Sequence, residues 1–238
     1  MSRPNILLLL LPLLCQLACT PPSHFPREQG GPVLTESLFD YKERTLSEED
    51  IRRILDGHIE LRDTLRLAVF NFGGAMSRHS NVWGGAWRWH DEESMKSQQR
   101  LMDTLTYALT RSPRVQEVML LPMMVTGAKP NIHQLRESAV RVQADMLLIF
   151  SLHSDIFQKY RAFKKDEAKA FATCEVVLMD IRTGVIPHTS VVTRSAHTKK
   201  VKEDYSEVDM QNRALHEAAL TTLLEAGNKV TAYLNGQK

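Results

Sequence analysis

The chain has 238 residues, of which 43% are hydrophobic, and carries 30 Lys and Arg against 28 Asp and Glu. This near balance of charge argues against a nucleic-acid-binding protein, which would show a strong basic excess. A chain of this length can bury a core large enough for one domain.

Residues 1–18 have the features of an export signal. One positive side chain, Arg3, precedes an apolar run from Ile6 to Leu14, and the small residue Ala18 precedes Cys19. The run is shorter than the roughly 20 apolar residues that a membrane-spanning helix needs. Leu17-Ala18-Cys19 also resembles the lipobox of bacterial lipoproteins, with Gln16 where that motif usually carries an aliphatic residue. The resemblance implies cleavage before Cys19 and lipid attached to this cysteine.

Residues 19–44 are predicted to form a flexible tether, since they contain several prolines and two adjacent glycines. A segment of this composition cannot join a core. A tether is useful if its first residue is fixed to a surface, and several acyl chains would hold Cys19 firmly. The alternative is an ordinary secretory signal that is cut near Ala18 and leaves a free N-terminus. If Cys19 is lipidated, Cys174 has no disulfide partner and the fold depends on its core.

A single α/β domain is predicted over residues 45–238. Thr45-Leu46-Ser47-Glu48 offers a capping box for a helix that ends at Gly57. Hydrophobic periodicity then predicts alternating strands and helices, and Arg182-Thr183-Gly184 predicts a tight turn within a hairpin. The remaining elements, in chain order, are strand 65–72, a helix after the 75–92 loop, strand 115–121, helix 132–142, a strand from 145 toward 160, strands 171–181 and 185–199, and helix 206–234.

The order β-α-β-α-β-β-β-α predicts an α/β (α+β) fold with a mixed sheet. The early β-α-β units favour parallel strands, and the consecutive late strands favour antiparallel pairing. Helices are therefore expected to pack on a sheet that contains both arrangements.

Four segments carry a resemblance to a family of bacterial envelope proteins: LRLAVFNFGG (65–74), MDTLTYALTRSPRVQEVMLL (102–121), VQADMLLIFSL (142–152) and CEVVLMDIRTGVI (174–186). Over about residues 64–234 the chain resembles the domain shared by the curli-secretion lipoprotein CsgG, the penicillin-binding-protein activator LpoB and the amino-terminal domain of TolB. That family has an Asp-x-x-Thr-Gly hairpin turn, and its usual glycine before Ala-Asp is Gln143 here. The resemblance implies a periplasmic binding or assembly role.

All three tryptophans of the chain fall within seven residues, 83–89, on a segment that also contains glycine and Arg88. Trp and Arg are favoured at binding hot spots, and a large exposed apolar surface usually marks an interaction site. Trp83, Trp87, Arg88 and Trp89 are therefore a predicted partner-binding loop. The alternative is that the rings fold back and cap the sheet.

A second group of residues is basic and surrounds the predicted tip of a long hairpin. Lys159, Arg161, Lys164 and Lys165 belong to it. They are interpreted either as a solvated tip that discourages edge pairing or as a contact for anionic lipid headgroups or wall polymer.

No catalytic residue, metal ion or cofactor is predicted. The acidic residues 91–93 sit where a helix starts, and this position favours capping over metal binding. Ser151, His153 and Asp155 alternate on one strand and so share a face, which keeps a hydrolase as an alternative. Cys174 lies in an apolar strand and is expected to be an inert core residue.

The sequence thus predicts a non-enzymatic, lipid-anchored envelope protein that binds a protein or cell-wall partner and no nucleic acid. Thr20 after Cys19 favours outer-membrane sorting, with the domain facing the periplasm. The prediction allows a homo-oligomer, and the competing class is a ring-forming adaptor of a secretion or transport machine.

Overall fold

The computed structural model describes residues 38, 47–57, 59, 61–72, 92–127, 130–159, 167–199, 201 and 207–236. These residues form five helices and five strands. The helices are α1 (Glu48–Asp56), α2 (Glu92–Thr110), α3 (Met123–Thr126), α4 (Ile132–Arg141) and α5 (Glu207–Gly236). The strands are β1 (Leu65–Asn71), β2 (Val115–Leu120), β3 (Met146–Lys159), β4 (Glu167–Asp180) and β5 (His188–Lys199).

The five strands form one mixed sheet in the order β2-β1-β3-β4-β5. β1 is parallel to both β2 and β3, whereas β3 and β4, and then β4 and β5, are antiparallel. The predicted fold class is confirmed. Two helix-containing connections, from β1 to β2 and from β2 to β3, build the parallel part, and hairpins build the rest. Because β1 and β3 are parallel neighbours, both begin at the same end of the sheet.

One face of the sheet is covered by α2 and α5. Alternate residues of β1, Leu65, Leu67 and Val69, point into this core and are almost fully buried. The two helices approach each other closely at Gly227, where an added Cβ would lie 2.5 Å from the Cβ of Ala108. Gly227 therefore sets the distance between α2 and α5. Other members of this core include Leu105, Leu109, Leu148, Phe150, Val176, Leu178, Leu223, Val230 and Leu234.

The opposite face is covered by α4, which packs on Ala68, Leu147 and Ile149. Asn131 begins α4 with a capping box that it shares with Gln134. Leu38, which lies within the predicted tether, packs against the same core, and its carbonyl accepts a hydrogen bond from the N–H of Ile132 at 3.2 Å. The chain thus contacts the domain before α1 begins.

β3 and β4 extend beyond β1 as a long hairpin, paired as far as Lys159 and Glu167. Ala168, Ala170 and Ala172 of this extension are buried against the alanines at 214 and 218 of α5. The prediction started β4 at Phe171, whereas the strand starts at Glu167. Alanine has low strand propensity, so its alternation there gave no clear signal.

The last helix, α5, is 30 residues long and closes the α2 side of the sheet. Its buried residues follow helical spacing, as predicted, and polar residues separate them. Within the described part of the chain, no helix is both long and apolar enough to cross a membrane.

Candidate functional site

A cavity of about 730 Å³ lies at the end of the sheet where β1 and β3 begin. The turn after β4 reaches the same end, because Met146 at the start of β3 pairs with Asp180 at the end of β4. The second half of α4 forms one wall. Four arginines line the cavity: Arg62, Arg66, Arg136 and Arg182.

Asp145 lies between these arginines and is bonded through both carboxylate oxygens. Oδ2 accepts the backbone N–H of Arg66 at 3.0 Å. Oδ1 lies 3.2 Å from Nη1 of Arg62 and 3.9 Å from Nη2 of Arg182. The side chain of Asp145 is only 18% exposed, and it is the counter-ion of Arg62 and Arg182.

Two of the four arginines are used by the fold itself. Arg66 donates through Nε to Oε2 of Glu117 at 3.0 Å and through Nη1 to the carbonyl of Gln143 at 3.3 Å. Arg136 donates through Nε to the carbonyl of Ile181 at 2.6 Å and through Nη2 to that of Arg182. Both side chains therefore tie the strand ends and the turn together.

The other two arginines face solvent, since the side chain of Arg62 is 60% exposed and that of Arg182 is 65% exposed. Each contacts Asp145 through one nitrogen, and a guanidinium group carries five N–H donors. Two guanidinium groups thus share one carboxylate at the opening of the cavity.

The turn after β4 positions Arg182 by a local hydrogen-bond network. The carboxylate of Asp180 accepts the backbone N–H of Thr183 at 2.8 Å and its hydroxyl at 2.6 Å. Gly184 has a φ of +77°, and a Cβ there would lie 3.1 Å from Nη1 of Arg136. The positive φ favours glycine, and a Cβ would in addition require the Arg136 side chain to shift slightly. The predicted tight turn is confirmed.

Gln143 lies on the loop from α4 to β3 and has a φ of +58°, the only positive φ of a non-glycine residue in the described chain. This left-handed conformation favours glycine. Gln143 is therefore held in a conformation that a non-glycine residue adopts only at a cost.

Ser151, His153 and Asp155 share a face of β3, as predicted, because they lie opposite alternate residues of β4. Oγ of Ser151 and Nε2 of His153 are buried and have no hydrogen-bond partner among the described residues. The carboxylate of Asp155 accepts the N–H of Ile156. The described contacts therefore do not join these three side chains into a catalytic relay.

A Ser–His hydrogen bond does occur elsewhere, between Oγ of Ser97 on α2 and Nδ1 of His216 on α5, at 2.8 Å. Burial, with a contribution from Arg100, holds the pKa of His216 below its usual value. Sequence reasoning missed this pair because the two residues are 119 positions apart. The pair links the two helices on one face of the sheet.

Cys174 is fully buried in β4, and burial raises the pKa of its thiol to about 12. The predicted inert core cysteine is confirmed, because a thiol with this pKa forms almost no thiolate near neutral pH. Among the described residues, no group of three His, Cys, Asp or Glu side chains is arranged to hold a metal ion.

The structure gives no side-chain contacts for the remaining predicted site residues. Cys19 and the tryptophan loop, with Trp83, Trp87, Arg88 and Trp89, lie outside the described residues, as do Arg161, Lys164 and Lys165. The backbone of Lys159 ends β3 opposite Glu167. The roles assigned to these residues stay predictions.

No family model and no curated protein matches the chain. Solved structures similar to it include a minor lipoprotein from Acinetobacter baumannii, at 11% identity and a TM-score of 0.34, over 74% of this chain and 93% of that one. A lipoprotein from Neisseria meningitidis is also similar, at 11% identity and a TM-score of 0.31, over 71% and 98% of the two chains. A third is the PelC dodecamer from Paraburkholderia phytofirmans, at 13% identity and a TM-score of 0.36, over 72% and 91%.

Proposed function

We propose that this protein is a non-enzymatic lipoprotein of the bacterial envelope, held on the outer membrane by lipid on Cys19, whose periplasmic domain binds a protein or cell-wall partner. The observation that carries the proposal is Leu17-Ala18-Cys19, placed directly after a short apolar run and before a segment rich in proline. This setting resembles the lipobox of bacterial lipoproteins, in which the cysteine accepts the lipid after the signal is cleaved.

The domain supports a binding role through its arginine-lined cavity, in which Asp145 pairs with the side chains of Arg62 and Arg182. Charged groups that are already positioned favour recognition, because little ordering remains to be done when a partner binds. By contrast, the three residues that would form a hydrolytic relay on β3 are not hydrogen-bonded to one another in the described contacts. The tryptophan loop is the second predicted contact for a partner.

The contact at Leu38 limits how far the anchored domain can move. If the domain is fixed to the chain at Leu38, about 19 residues separate it from Cys19, and such a segment spans at most about 65 Å when fully extended. Under the proposed anchor, Leu38 therefore lies within this distance of the membrane surface, and the partner lies within this distance plus the width of the domain.

The anchor is tested by intact-mass measurement of the protein isolated from the membranes of a Gram-negative host. The expected product begins at Cys19 and carries the mass of several acyl chains. Cys19→Ser should abolish both the added mass and membrane retention, whereas the matched variant Cys15→Ser, within the signal, should keep both. An unmodified Cys19 in the wild-type protein would overturn the anchor.

The binding role is tested by cross-linking in intact envelopes followed by mass identification of captured molecules. The triple change Trp83→Ala, Trp87→Ala and Trp89→Ala should lower capture of a partner while the fold and membrane retention persist. Unchanged capture would contradict the role of the loop. High salt should weaken any contact made through Lys159, Arg161, Lys164 and Lys165, because such attraction is screened.

A further inference from the structure

We infer that the arginine-lined cavity at the start of β1 and β3 binds a carboxylate group of an acidic peptide. This inference rests on the proposed binding role and assigns to it a site and a ligand class. The evidence is the charge of the cavity, the geometry of its two exposed arginines, its apolar wall and its position relative to the tether.

The cavity has an excess of positive charge. Four arginines line it, against the two carboxylates of Asp63 and Asp145. Arg66 is paired with Glu117, and Arg136 is bonded to backbone carbonyls that carry no net charge. Arg62 and Arg182 both contact Asp145. With Glu117 counted, the four arginines face three carboxylates, which leaves an excess of one positive charge. A bound anion would restore the balance.

The geometry suits a planar oxyanion. Arg62 and Arg182 approach the same oxygen of Asp145, at 3.2 and 3.9 Å, so one nitrogen of each guanidinium group lies within 4 Å of a single point. In the described residues each has a single charged partner, and its other N–H donors remain for a ligand. Paired donors on guanidinium groups match the two oxygens of a carboxylate.

The wall of the cavity favours an anion carried on a short aliphatic chain. Val140, Ala144 and Ile181 line it beside the arginines, and the side chain of Val140 is 54% exposed. A glutamate side chain offers two methylenes to these apolar groups, and the carboxylate then reaches the arginines. Inorganic phosphate would leave the apolar wall unused. This distinction favours an aliphatic carboxylate, such as a glutamate side chain of an acidic peptide, over inorganic phosphate.

The cavity also lies away from the contact made by Leu38. Leu38 bonds to Ile132, the first residue of α4, whereas Val140, near the other end of this ten-residue helix, lines the cavity. At about 1.5 Å per residue the two ends of α4 are roughly 15 Å apart. Leu38 itself therefore does not occupy the cavity.

The inference is tested by titrating the mature, unlipidated chain with a fluorescent N-acetylated tetraglutamate peptide in about 20 mM salt, with tetraglutamine and inorganic phosphate as competitors. The double variant Arg62→Gln/Arg182→Gln should weaken peptide binding by about tenfold or more, because two charge-assisted contacts are lost. The matched control is Arg53→Gln/Arg141→Gln, which removes the same charge from side chains that are 70% and 71% exposed on α1 and α4. It should change binding less than about twofold.

Each outcome decides the question. Weaker binding in the cavity variant alone, with no competition by tetraglutamine, supports the site. Equal binding by wild-type protein and cavity variant, equal loss in the control, or absence of peptide binding overturns it. Competition by phosphate at the peptide's own affinity overturns the ligand class.

The single variant Arg182→Lys keeps the charge but not the paired donors, so a partial loss of peptide binding is expected even if the double variant is unstable. Because the assay needs neither lipid nor envelope, its failure leaves the tests of Cys19 and of partner capture standing.

Discussion

Single residues show where local strain remains in this fold, and Gln143 is the clearest case because its φ is +58°. A non-glycine residue in this conformation costs about 1–2 kcal/mol, and part of that cost is offset by the freedom that glycine has in the unfolded chain. Gln143→Gly should therefore stabilise the protein by about 0.5–1 kcal/mol. Arg66 keeps its bond to the backbone carbonyl of residue 143 in this variant.

The measurement is the free energy of unfolding from urea titration. Ala144→Gly, at the next position, is the control, and it should be neutral or destabilising because the described backbone at 144 has no positive φ. A Gln143→Gly variant less stable than the wild type would show that the side chain contributes more than the strain costs.

The histidine at position 216 predicts a pH dependence of stability. Burial lowers its pKa in the folded protein, so the unfolded chain takes up the proton more readily. The contribution is fully present above the ordinary histidine pKa of about 6.5 and is lost as the pH falls below that value. Burial also lowers the pKa of His188, so both histidines act in the same direction.

We expect the melting temperature to fall between pH 7.5 and pH 5, and to fall less in His216→Gln. Ser97→Ala removes the hydrogen-bond partner but leaves the buried imidazole. Since burial is the main cause of the shift, this variant should be less stable at both pH values and retain the dependence. An unchanged pH profile in His216→Gln would refute the assignment.

At the scale of elements, the packing of α5 on α2 depends on Gly227, since a Cβ there would meet the Cβ of Ala108 at 2.5 Å. Gly227→Ala forces the helices apart and should destabilise the protein by about 1–3 kcal/mol, although alanine is the better helix former. Adding Ala108→Gly removes the opposing methyl group and should restore part of the loss. Thermal unfolding of the two single variants and the double variant forms a mutant cycle. Additive losses would mean that the two positions do not contact each other.

The elements also show what sequence periodicity can predict. β1 and the first half of β3 are runs of leucine, valine, isoleucine and phenylalanine, so their burial on both faces was predicted. The start of β4 was not predicted. Ala168, Ala170 and Ala172 are buried there because small side chains let the strand pack closely on α5, and alanine gives no strong hydrophobic signal in the sequence. The turn at 182–184 was predictable because the backbone N–H groups of Thr183 and Gly184 both bond to Asp180, three and four residues earlier.

The arginine cavity was not predictable in the same way. Its charged residues come from the approach to β1, from α4, from the start of β3 and from the turn after β4. These segments are far apart in the sequence, and only the pairing of β1, β3 and β4 brings them to one end of the sheet. Sequence reasoning singled out clusters of neighbouring residues instead, such as the tryptophan loop and the lysines near 159–165.

For the whole molecule, the contact between Leu38 and the core under α4 bears on where the proposed tether ends. Leu38 is partly buried, and its carbonyl is bonded to Ile132. Leu38→Ser should remove about 1 kcal/mol of apolar burial and lower the melting temperature by about 2–4 °C. The control is Leu55→Ser, because Leu55 is 76% exposed on α1 and should change stability little.

Limited proteolysis gives the more direct measurement of the same contact. Release of the segment at Leu38 should expose peptide bonds between residue 38 and α1 to cleavage, so Leu38→Ser should be cut there faster than the wild type or Leu55→Ser. Under the proposed lipid anchor, release of Leu38 would also lengthen the tether and let the domain move farther from the membrane. Equal cleavage in all three proteins would mean that the anchored segment ends nearer to α1, and the distance available to a partner would then have to be extended by the residues from 38 to 47.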